Sequence, residues 1–323
     1  VHRLRASAIS GRGLAGKISG AVDLLRGTFE AKRLLRRLAP SGVVGFGGYP
    51  TVPPLFAAYQ LGLPSLLHEQ NAVLGRANRL LSGRVSLVAT SFEQTEGAED
   101  CQTLLCGNPV RSAIAALSQE TYRSPGDRDP FRLLVFGGSQ GARVLSQILP
   151  QALRHLPHPA RRRLVVEQQC RHEDLDGVRA AYDEMGVEAT VATFFEDMDV
   201  RLASAHLVIS RSGASTIAEL AAAGRPAMLV PYPHATDDHQ SANARAVEAA
   251  GAGWLMPEEA FSGEALAARL ETFLASPMAL VEAAAAARRF ARPDAASTLA
   301  DAIDRLTGTN GHHGGPELRE QAA

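Results

Sequence analysis

Short runs of apolar residues recur along the chain and alternate with longer stretches in which apolar positions follow a helical period. The short runs are rich in Val, Leu and Ile without polar alternation, as expected of strands covered on both faces of a sheet. The pattern predicts seven strands, at residues 43–46, 65–67, 87–89, 133–136, 164–166, 207–209 and 227–230. Helical patterns are clearest at residues 142–154, 214–223 and 239–250. Strand–helix alternation of this kind predicts parallel sheets in doubly wound α/β domains.

A polar segment separates these elements into two groups. Residues 118–130 hold Pro125, Gly126 and Pro130 among mostly polar neighbours, which is typical of a linker. A new strand–loop–helix unit then begins at Phe131. The sequence therefore predicts two α/β domains, followed by a disordered tail at residues 308–323.

Composition agrees with two domains and argues against several other classes of protein. The chain has 323 residues, of which 46% are apolar and 21% charged. Its net charge of −1 gives no general attraction to nucleic acid. Three irregularly spaced cysteines form neither a disulfide framework nor a zinc motif, so reduced thiols are expected. Neither a transmembrane run of roughly 18 apolar residues nor the apolar core of a signal peptide is present.

Positive charge is concentrated near the start of the chain. Residues 1–40 hold nine Lys and Arg residues against two carboxylates, and residues 17–38 have the pattern of a cationic amphipathic helix. Such a helix can lie on an anionic membrane surface. The alternative is a surface helix that packs Leu25, Phe29 and Leu38 into the first domain.

Two glycine loops follow predicted strands, one in each domain. Residues 137–141, with the sequence Gly-Gly-Ser-Gln-Gly, connect a strand to a helix, where exposed N–H groups and glycine backbone can hold phosphate. A tight turn without a ligand explains the same pattern. The loop also matches the G-x-S-x-G motif of serine hydrolases, but Asp237 and His239 lie too close together to be the other triad members. The second loop, at residues 45–51, suggests that the two glycine faces border one cleft.

Three further segments place polar side chains directly after predicted strands. His68, Glu69, Gln70 and Asn71 suit hydrogen bonding to a polyhydroxylated ligand, and Ala72 rules out the H-E-x-x-H zinc motif. Ser215 and Thr216 begin a helix and can cap it or bind phosphate, and Glu219, one turn later, can accept the hydroxyls of a ribose. An ordinary surface position explains Glu219 equally simply.

The third segment follows the strand at 227–230. There Asp237 or Asp238 is expected to cap the next helix, and Gln240 and Asn243 share its early face. A metal site of Asp and His is the less favoured alternative, because it would need more carboxylates.

In this order, the segments resemble the MurG family of bacterial undecaprenyldiphospho-muramoylpentapeptide β-N-acetylglucosaminyltransferases. The resemblance spans about residues 5–305. It is carried by Gly45–Tyr49, His68–Asn71, Gly107–Arg111, Gly137–Ala142, Ser210–Ala214 and His239–Gln240.

The resemblance implies a GT-B fold, in which two Rossmann-like domains face each other across a cleft. Residues 1–118 would form an acceptor and membrane-side domain, residues 119–292 a donor domain, and residues 293–307 a helix that returns to the first domain. The implied reaction inverts the sugar, uses neither metal nor cofactor, and transfers N-acetylglucosamine from UDP-N-acetylglucosamine to lipid I, giving lipid II for peptidoglycan synthesis. Because lipid I is a membrane lipid, the resemblance favours a peripheral position on the cytoplasmic face of the inner membrane.

The resemblance also assigns residues to the donor. Ser139 would contact phosphate, Arg111 and the backbone around Phe195 would hold the uracil, and Asn71 and Gln240 would meet the sugar. The phosphate and ribose would be lined by Ala214, Ser215, Thr216, Ile217, Ala218 and Glu219, with Glu219 on the ribose diol.

One family feature has no counterpart in this sequence. Family members begin with a strand and a loop of the form G-G-T-G-G-H, whose His is a candidate catalytic group, and this chain begins at Val1 about two βα units later. We therefore expect an incomplete first domain with an uncovered apolar edge, weak UDP binding and little or no turnover. No catalytic residue is assigned.

Other functions fit part of the pattern. A different GT-B glycolipid glycosyltransferase would share the second-domain loops but should lack His68–Asn71, and a non-catalytic module would bind the UDP-sugar without transfer. A serine hydrolase, the most remote alternative, would react at Ser139.

Overall fold

The computed structural model describes residues 2–4, 14–138 and 142–308, and it contains two sheets in which all the paired strands are parallel. The first sheet has the order β1-β2-β3-β4, with strands Val43–Gly45, Ser65–Glu69, Leu87–Thr90 and Thr103–Leu105. The second has the order β10-β9-β8-β5-β6-β7. Its strands β5 to β10 are Phe131–Phe136, Leu164–Gln169, Glu188–Ala192, Leu207–Ser210, Ala227–Leu229 and Gly253–Leu255.

Helices connect most of the strands and cover the sheets. Helices α1 to α4 are Leu14–Leu38, Val52–Leu61, Arg76–Leu81 and Ser112–Ala116. Helices α5 to α9 are Arg143–His155, His158–Arg161, Leu175–Met185, Met198–Ser204 and Ala214–Ala222. Helices α10 to α13 are His239–Ala249, Gly263–Ala275, Met278–Phe290 and Ala295–Thr307. All seven predicted strands and the three predicted helices are confirmed, with ends shifted by up to three residues.

Three strands, β4, β7 and β10, were not predicted, and each lies at the edge of a sheet. β4 and β10 have only three residues, and most positions of β7 are half-buried or exposed. The prediction relied on continuous apolar runs, which mark strands covered on both faces. Short or partly exposed edge strands do not produce such runs.

The central strand β5 is apolar at every position except the exposed Arg132 near its start. Phe131, Leu133 and Val135 contribute to one hydrophobic cluster of the second domain, whereas Leu134 and Phe136 contribute to a different one. Successive side chains point to opposite faces of a sheet, and helices cover both faces here. The strand is therefore buried on either side.

The last helix packs against the first sheet. Leu299 and Ala302 of α13 cluster with Leu66, Ala89 and Cys106, whereas Ala286 and Ala287 of α12 belong to a cluster of the second domain. The chain therefore crosses from one sheet to the other between α12 and α13. The domain limits at residues 118 and 292 stay predictions, and the tail after Gly308 lies outside the described residues.

Helix α1 packs against α2 through its less cationic face. Ala31 and Leu35 are buried with Ala57 and Ala58, and Leu24 joins a cluster with Leu55. The alternative that packs Leu25, Phe29 and Leu38 inward is wrong, because these side chains are 70%, 58% and 53% exposed. At the outer edge of the first sheet, Val43 and Val44 of β1 are half-buried.

The imidazole of His206 makes stability depend on pH. Its Nδ1 accepts a hydrogen bond of 3.0 Å from the backbone N–H of Arg132, a bond that protonation of Nδ1 would break. Burial, with the charges of Arg132 and Arg225, lowers the pKa of His206 to about 4. The unfolded chain, with a pKa of about 6.5, then binds more protons than the folded one, so the contribution to stability is complete above pH 6.5 and is lost as pH falls toward 4.

We expect the melting temperature to fall less steeply between pH 7 and 5 in His206→Asn than in the unmodified chain. Asparagine can still accept the Arg132 N–H but does not titrate, and one titrating group contributes at most about 1.4 kcal/mol per pH unit. Melting curves across this range measure the slope. His158→Asn, at an exposed position of α6, is the control and should keep the original slope. Equal slopes in all three proteins would refute this role of His206.

Candidate functional site

A cleft of about 900 Å³ lies between the two domains at the carboxyl ends of their strands. The first domain contributes Gln70 and Asn71, which directly follow β2. The second contributes residues after β5, β6, β8 and β9, among them Gly137, Arg171, Ser215 and Tyr232. Ligands of open α/β sheets bind at this end of the strands.

The amino-terminal end of α9 opens into this cleft. Gly213 precedes the helix without a side-chain cap, and Ala214, Ser215 and Thr216 form its first turn. All four residues line the cleft. Uncapped N–H groups and the helix dipole favour an anion at such a position, and the two hydroxyls can add hydrogen bonds.

Arginines make the same cleft cationic. Arg143, Arg171 and Arg211 line it, together with one carboxylate, Glu258. Arg211 forms an ion pair of 2.6 Å with Glu258 and donates to the carbonyl of Pro231 at 2.9 Å. Arg143 and Arg171 are exposed, and their nearest carboxylates lie at 3.8 and 3.9 Å. The cleft is therefore suited to a ligand with more than one negative charge.

Gln240 is fixed at the start of α10, on the second-domain side of the cleft. Its Oε1 accepts from the backbone N–H of Tyr232 at 2.9 Å, and its carbonyl accepts from Ser212 Oγ at 2.8 Å. With the amide oxygen engaged in this way, the amide N–H groups are left for a ligand.

The carboxylate of Glu219 is held by Arg111. The Nε of Arg111 lies 3.0 Å from Oε1 of Glu219, and the two side chains are 56% and 19% exposed. Arg111 was predicted to hold uracil, yet its contact in this structure is with the residue predicted to bind the ribose. A hydrogen bond therefore links two residues assigned to the nucleoside.

Asn71 is held on two sides within the cleft. Its Nδ2 donates to Oε1 of Glu69 at 3.1 Å, and its Oδ1 accepts from Nδ2 of Asn243 at 3.0 Å. Both Glu69 and Asn243 are buried. The sequence pattern predicted that Glu69 would hydrogen-bond a ligand, whereas Asn243 was given no ligand role. The only signal in the sequence for a supporting role is that Glu69 lies two positions before Asn71 and Asn243 three positions after Gln240.

The other predicted site residues lie behind the cleft surface or outside the described part. The ring of Phe195 is buried, with the guanidinium of Arg201 3.8 Å from its centroid, and the role of its backbone in holding uracil stays a prediction. Ile217 is buried in the second-domain core, and Ala218 lines a small pocket with Asn108. Ser139 belongs to residues 139–141, which lie outside the described residues.

The second glycine loop lines a neighbouring pocket of about 390 Å³. Gly47, Gly48 and Tyr49 border it, and it shares Gln70 and Asn71 with the larger cleft. Asp237 and His239 close it from the second domain. The sequence predicted that both glycine faces border one cleft, whereas the structure places them on two neighbouring pockets that share Gln70 and Asn71.

The acidic residues before α10 do not cap it. Asp238 occupies the N-cap position with a φ of 50° but makes no side-chain capping bond, and its Oδ1 accepts from Ser241 Oγ at 2.5 Å. Asp237 instead pairs with Arg76 of the first domain at 2.8 Å. The predicted capping is wrong, because contact with the other domain and with Ser241 takes both carboxylates. Within the described ranges, no group of three His, Cys, Asp or Glu side chains is placed to hold a metal ion.

Comparison with known proteins identifies the family. Residues 132–305 match the glycosyltransferase family 28 C-terminal domain, and residues 1–90 match its N-terminal domain. A relative from Rhodospirillum centenum is 50% identical, covering 100% of this chain and 86% of the relative. Another from Rhodospirillum rubrum is 51% identical over 98% of this chain and 81% of its own length. Both are named UDP-N-acetylglucosamine–N-acetylmuramyl-(pentapeptide) pyrophosphoryl-undecaprenol N-acetylglucosamine transferase.

Solved structures agree with the family and the fold. The crystal structure of Acinetobacter baumannii MurG has 33% identity and a TM-score of 0.75, covering 93% of this chain and 83% of that one. A UDP-GlcNAc 2-epimerase from Neisseria meningitidis, at 13% identity and a TM-score of 0.61, shares the fold alone. These likenesses confirm the predicted GT-B fold and give no support to a serine hydrolase. The chain belongs to glycosyltransferase family 28.

Proposed function

We propose that this chain transfers N-acetylglucosamine from UDP-N-acetylglucosamine to lipid I, the undecaprenyl-pyrophosphoryl muramoylpentapeptide, to form lipid II. The observation that carries this proposal is the shared cleft, in which the free amino-terminal end of α9 and Gln240 of one domain face Asn71 of the other. The names of relatives at about 50% identity support the choice of donor and acceptor.

The donor would lie along the second domain. Its diphosphate would meet the N–H groups at the start of α9, with Ser215, Thr216 and Ser139 as further donors. Glu219 would accept the ribose hydroxyls, Arg111 and the backbone at Phe195 would hold uracil, and the sugar would extend toward Asn71 and Gln240.

The chemistry follows from this placement. The acceptor hydroxyl attacks C1 of N-acetylglucosamine, the C1–oxygen bond to the diphosphate breaks, and UDP departs with the electron pair. Attack from the opposite face inverts C1. Dipoles and cations fixed around the diphosphate stabilise the charge that develops on UDP, and this does not require a metal ion. A base must take the hydroxyl proton, and that residue stays unassigned.

The first test is a thermal-shift comparison of UDP-N-acetylglucosamine, UDP-glucose and UDP. We expect all three to raise the melting temperature, with UDP-N-acetylglucosamine giving the largest shift at equal concentration, because bound ligand stabilises the folded state according to its affinity. Absence of any UDP-dependent shift would refute the proposal.

We further propose that α1 holds the enzyme on anionic membrane as a peripheral protein of the cytoplasmic face. Leu25 and Phe29 are exposed on α1, and the guanidinium of Arg33 lies 4.4 Å from the centroid of the Phe29 ring. Arg36 and Arg37 lie in its last turn. Exposed apolar side chains beside cations are the pattern of interfacial helices. No single described helix is long and apolar enough to cross a membrane, and only a bent pair at residues 263–275 and 278–307 passes that test together.

The double variant Leu25→Ser and Phe29→Ser is expected to bind vesicles containing phosphatidylglycerol about tenfold more weakly. The two exposed apolar side chains would otherwise enter the interface, where burial of apolar area stabilises binding. Cosedimentation with vesicles measures the effect. Val200→Ser, which removes an exposed apolar side chain from α8 of the second domain, is the control. If both proteins bind vesicles equally, α1 is not the contact surface.

A further inference from the structure

A buried amide of the second domain hydrogen-bonds to the first domain at two points. Asn243, on α10, has no exposed surface. Its Oδ1 accepts from the backbone N–H of Ala72 at 2.8 Å, and its Nδ2 donates to Asn71 Oδ1 at 3.0 Å. The same Nδ2 donates to the carbonyl of Ser212 in its own domain at 3.1 Å. All of these bonds are made inside the interface between the domains.

The orientation of the Asn243 amide is determined by backbone groups. An amide can be turned by 180° only if its neighbours accept the exchange of oxygen and nitrogen. The N–H of Ala72 can only donate, and the carbonyl of Ser212 can only accept. If the Asn243 amide were turned, its nitrogen would face the N–H of Ala72 and its oxygen would face the carbonyl of Ser212. The amide must present its nitrogen to Asn71.

The nitrogen end of the Asn71 amide is oriented by the carboxylate of Glu69. Glu69 is 2% exposed, and its Oε1 accepts from both the backbone N–H and the Nδ2 of Asn71, at 2.9 and 3.1 Å. Its Oε2 accepts from Gly75 N–H at 3.0 Å and from Asn78 Nδ2 at 2.6 Å. An ionised carboxylate only accepts hydrogen bonds, so the nitrogen of the Asn71 amide must face Glu69.

The Asn71 amide is therefore oriented at both ends: Glu69 of its own domain binds the nitrogen, and Asn243 of the other domain binds the oxygen. The amide of Asn71 keeps one N–H and one lone pair free, and Asn71 lines the cleft. Separation of the domains would remove the Asn243 bond and leave the Glu69 bond. The orientation of Asn71 thus depends on contact between the domains.

We propose that Asn243 is a positioning residue, which readies the Asn71 amide for the donor sugar while the two domains are in contact. The inference rests on the proposed function, since it requires a UDP-sugar in the cleft. Asn243 has no place on the cleft surface itself, so its effect on the sugar passes through Asn71. The nucleotide part of the donor, which lies on the second domain, does not depend on this contact.

The test is a double-mutant cycle on binding. Asn71→Ala, Asn243→Ala and the double variant are made in the 323-residue chain, and calorimetry gives the Kd for UDP and for UDP-N-acetylglucosamine. The Kd for UDP divided by the Kd for UDP-N-acetylglucosamine gives the gain in affinity that the sugar provides. We expect each single variant to lower this ratio about five- to tenfold while the Kd for UDP changes by less than about twofold, since a lost hydrogen bond of this kind has that size. The double variant should be no worse than Asn71→Ala, because the effect passes through one residue.

Two further variants separate positioning from general stability. Asn243→Asp keeps the size of the side chain but faces the oxygen of Asn71 with another oxygen, so it should lower the ratio at least as much as alanine does. Gln168→Ala removes a buried amide that accepts from Tyr182 Oη in the second-domain core. It should lower the melting temperature and leave the ratio unchanged.

Several results would overturn the proposal. Additive losses in the double variant would show that Asn243 acts independently of Asn71. An equal loss of affinity for UDP and UDP-N-acetylglucosamine would show a general structural role, and an unchanged ratio in Asn243→Asp would show that orientation is irrelevant. If the unmodified chain binds UDP without any gain from the sugar, the positioning role is wrong although UDP binding stands. If it binds neither ligand, the proposed function is refuted and this inference with it.

Discussion

Glu219→Ala is expected to weaken UDP binding by about 30- to 150-fold. In the proposed donor site its carboxylate accepts the ribose hydroxyls, and hydrogen bonds to a charged group contribute about 1.5–3 kcal/mol each. Water solvates the freed hydroxyls in the variant and recovers part of the two bonds, so we expect a net loss of about 2–3 kcal/mol, which corresponds to that range of affinity. The carboxylate is held by Arg111 at 3.0 Å, so orienting it costs little on binding.

The ribose itself provides the sharpest check on this prediction. Calorimetry with 2′-deoxy-UDP should show a smaller difference between Glu219→Ala and the unmodified chain than calorimetry with UDP does, because one of the two hydroxyl contacts is missing in both measurements. Glu264→Ala, at an exposed position in the first turn of α11, is the control and should bind UDP normally. An equal loss for UDP and 2′-deoxy-UDP would contradict a contact with the 2′-hydroxyl.

Gly107→Ala is expected to destabilise the fold by about 2–5 kcal/mol. The residue has a φ of +86°, a conformation that costs a residue with a Cβ about 1–2 kcal/mol. An added Cβ would also lie 2.4 Å from Cβ of Arg292 and 3.2 Å from Cβ of Ala295. Neither of these atoms is the end of a flexible side chain, so the backbone must move, at a further cost of roughly 1–3 kcal/mol.

The effect should appear as a fall in melting temperature of roughly 5–10 °C. Gly62→Ala is a matched control, since Gly62 has a φ of +66° and no atom within 4 Å of an added Cβ. It isolates the cost of the backbone conformation and should shift the melting temperature by less. Equal shifts in the two variants would mean that the contact with Arg292 and Ala295 does not matter.

The sequence was sufficient for the fold wherever structure follows from local pattern. The apolar strands β5 and β8 could be predicted because burial on two faces leaves a continuous apolar run. Pattern also placed α1, but it could not decide which apolar side chains face inward. Leu24 and Leu25 are adjacent and equally apolar, yet one is buried and the other exposed, because only packing against α2 distinguishes them.

The candidate site was less accessible from sequence because its contacts join distant parts of the chain. Asn71 could be placed at the cleft because it closely follows β2, and the family resemblance placed Gln240 there at the start of α10. The bond from Asn243 to Ala72 joins residues 171 positions apart, and no spacing rule connects them. The Arg76–Asp237 ion pair likewise depends on how the two domains are placed. The family resemblance indicated which residues contact the ligand. The residues that hold those side chains in place could be identified only from contacts in the structure.

The return of α13 to the first sheet has a mechanical consequence. The backbone passes between the domains twice, once after Gly107 and once between α12 and α13, and the two passages touch where Gly107 meets Arg292 and Ala295. His68, buried in the first domain, fastens the first passage by donating from Nε2 to the carbonyl of Gly107 at 3.0 Å. Because the two passages lie side by side, any relative movement of the domains must pivot close to Gly107 and Arg292. Asn243 bonds to Ala72 and Asn71 across the interface, so movement that separates these residues must first break both hydrogen bonds.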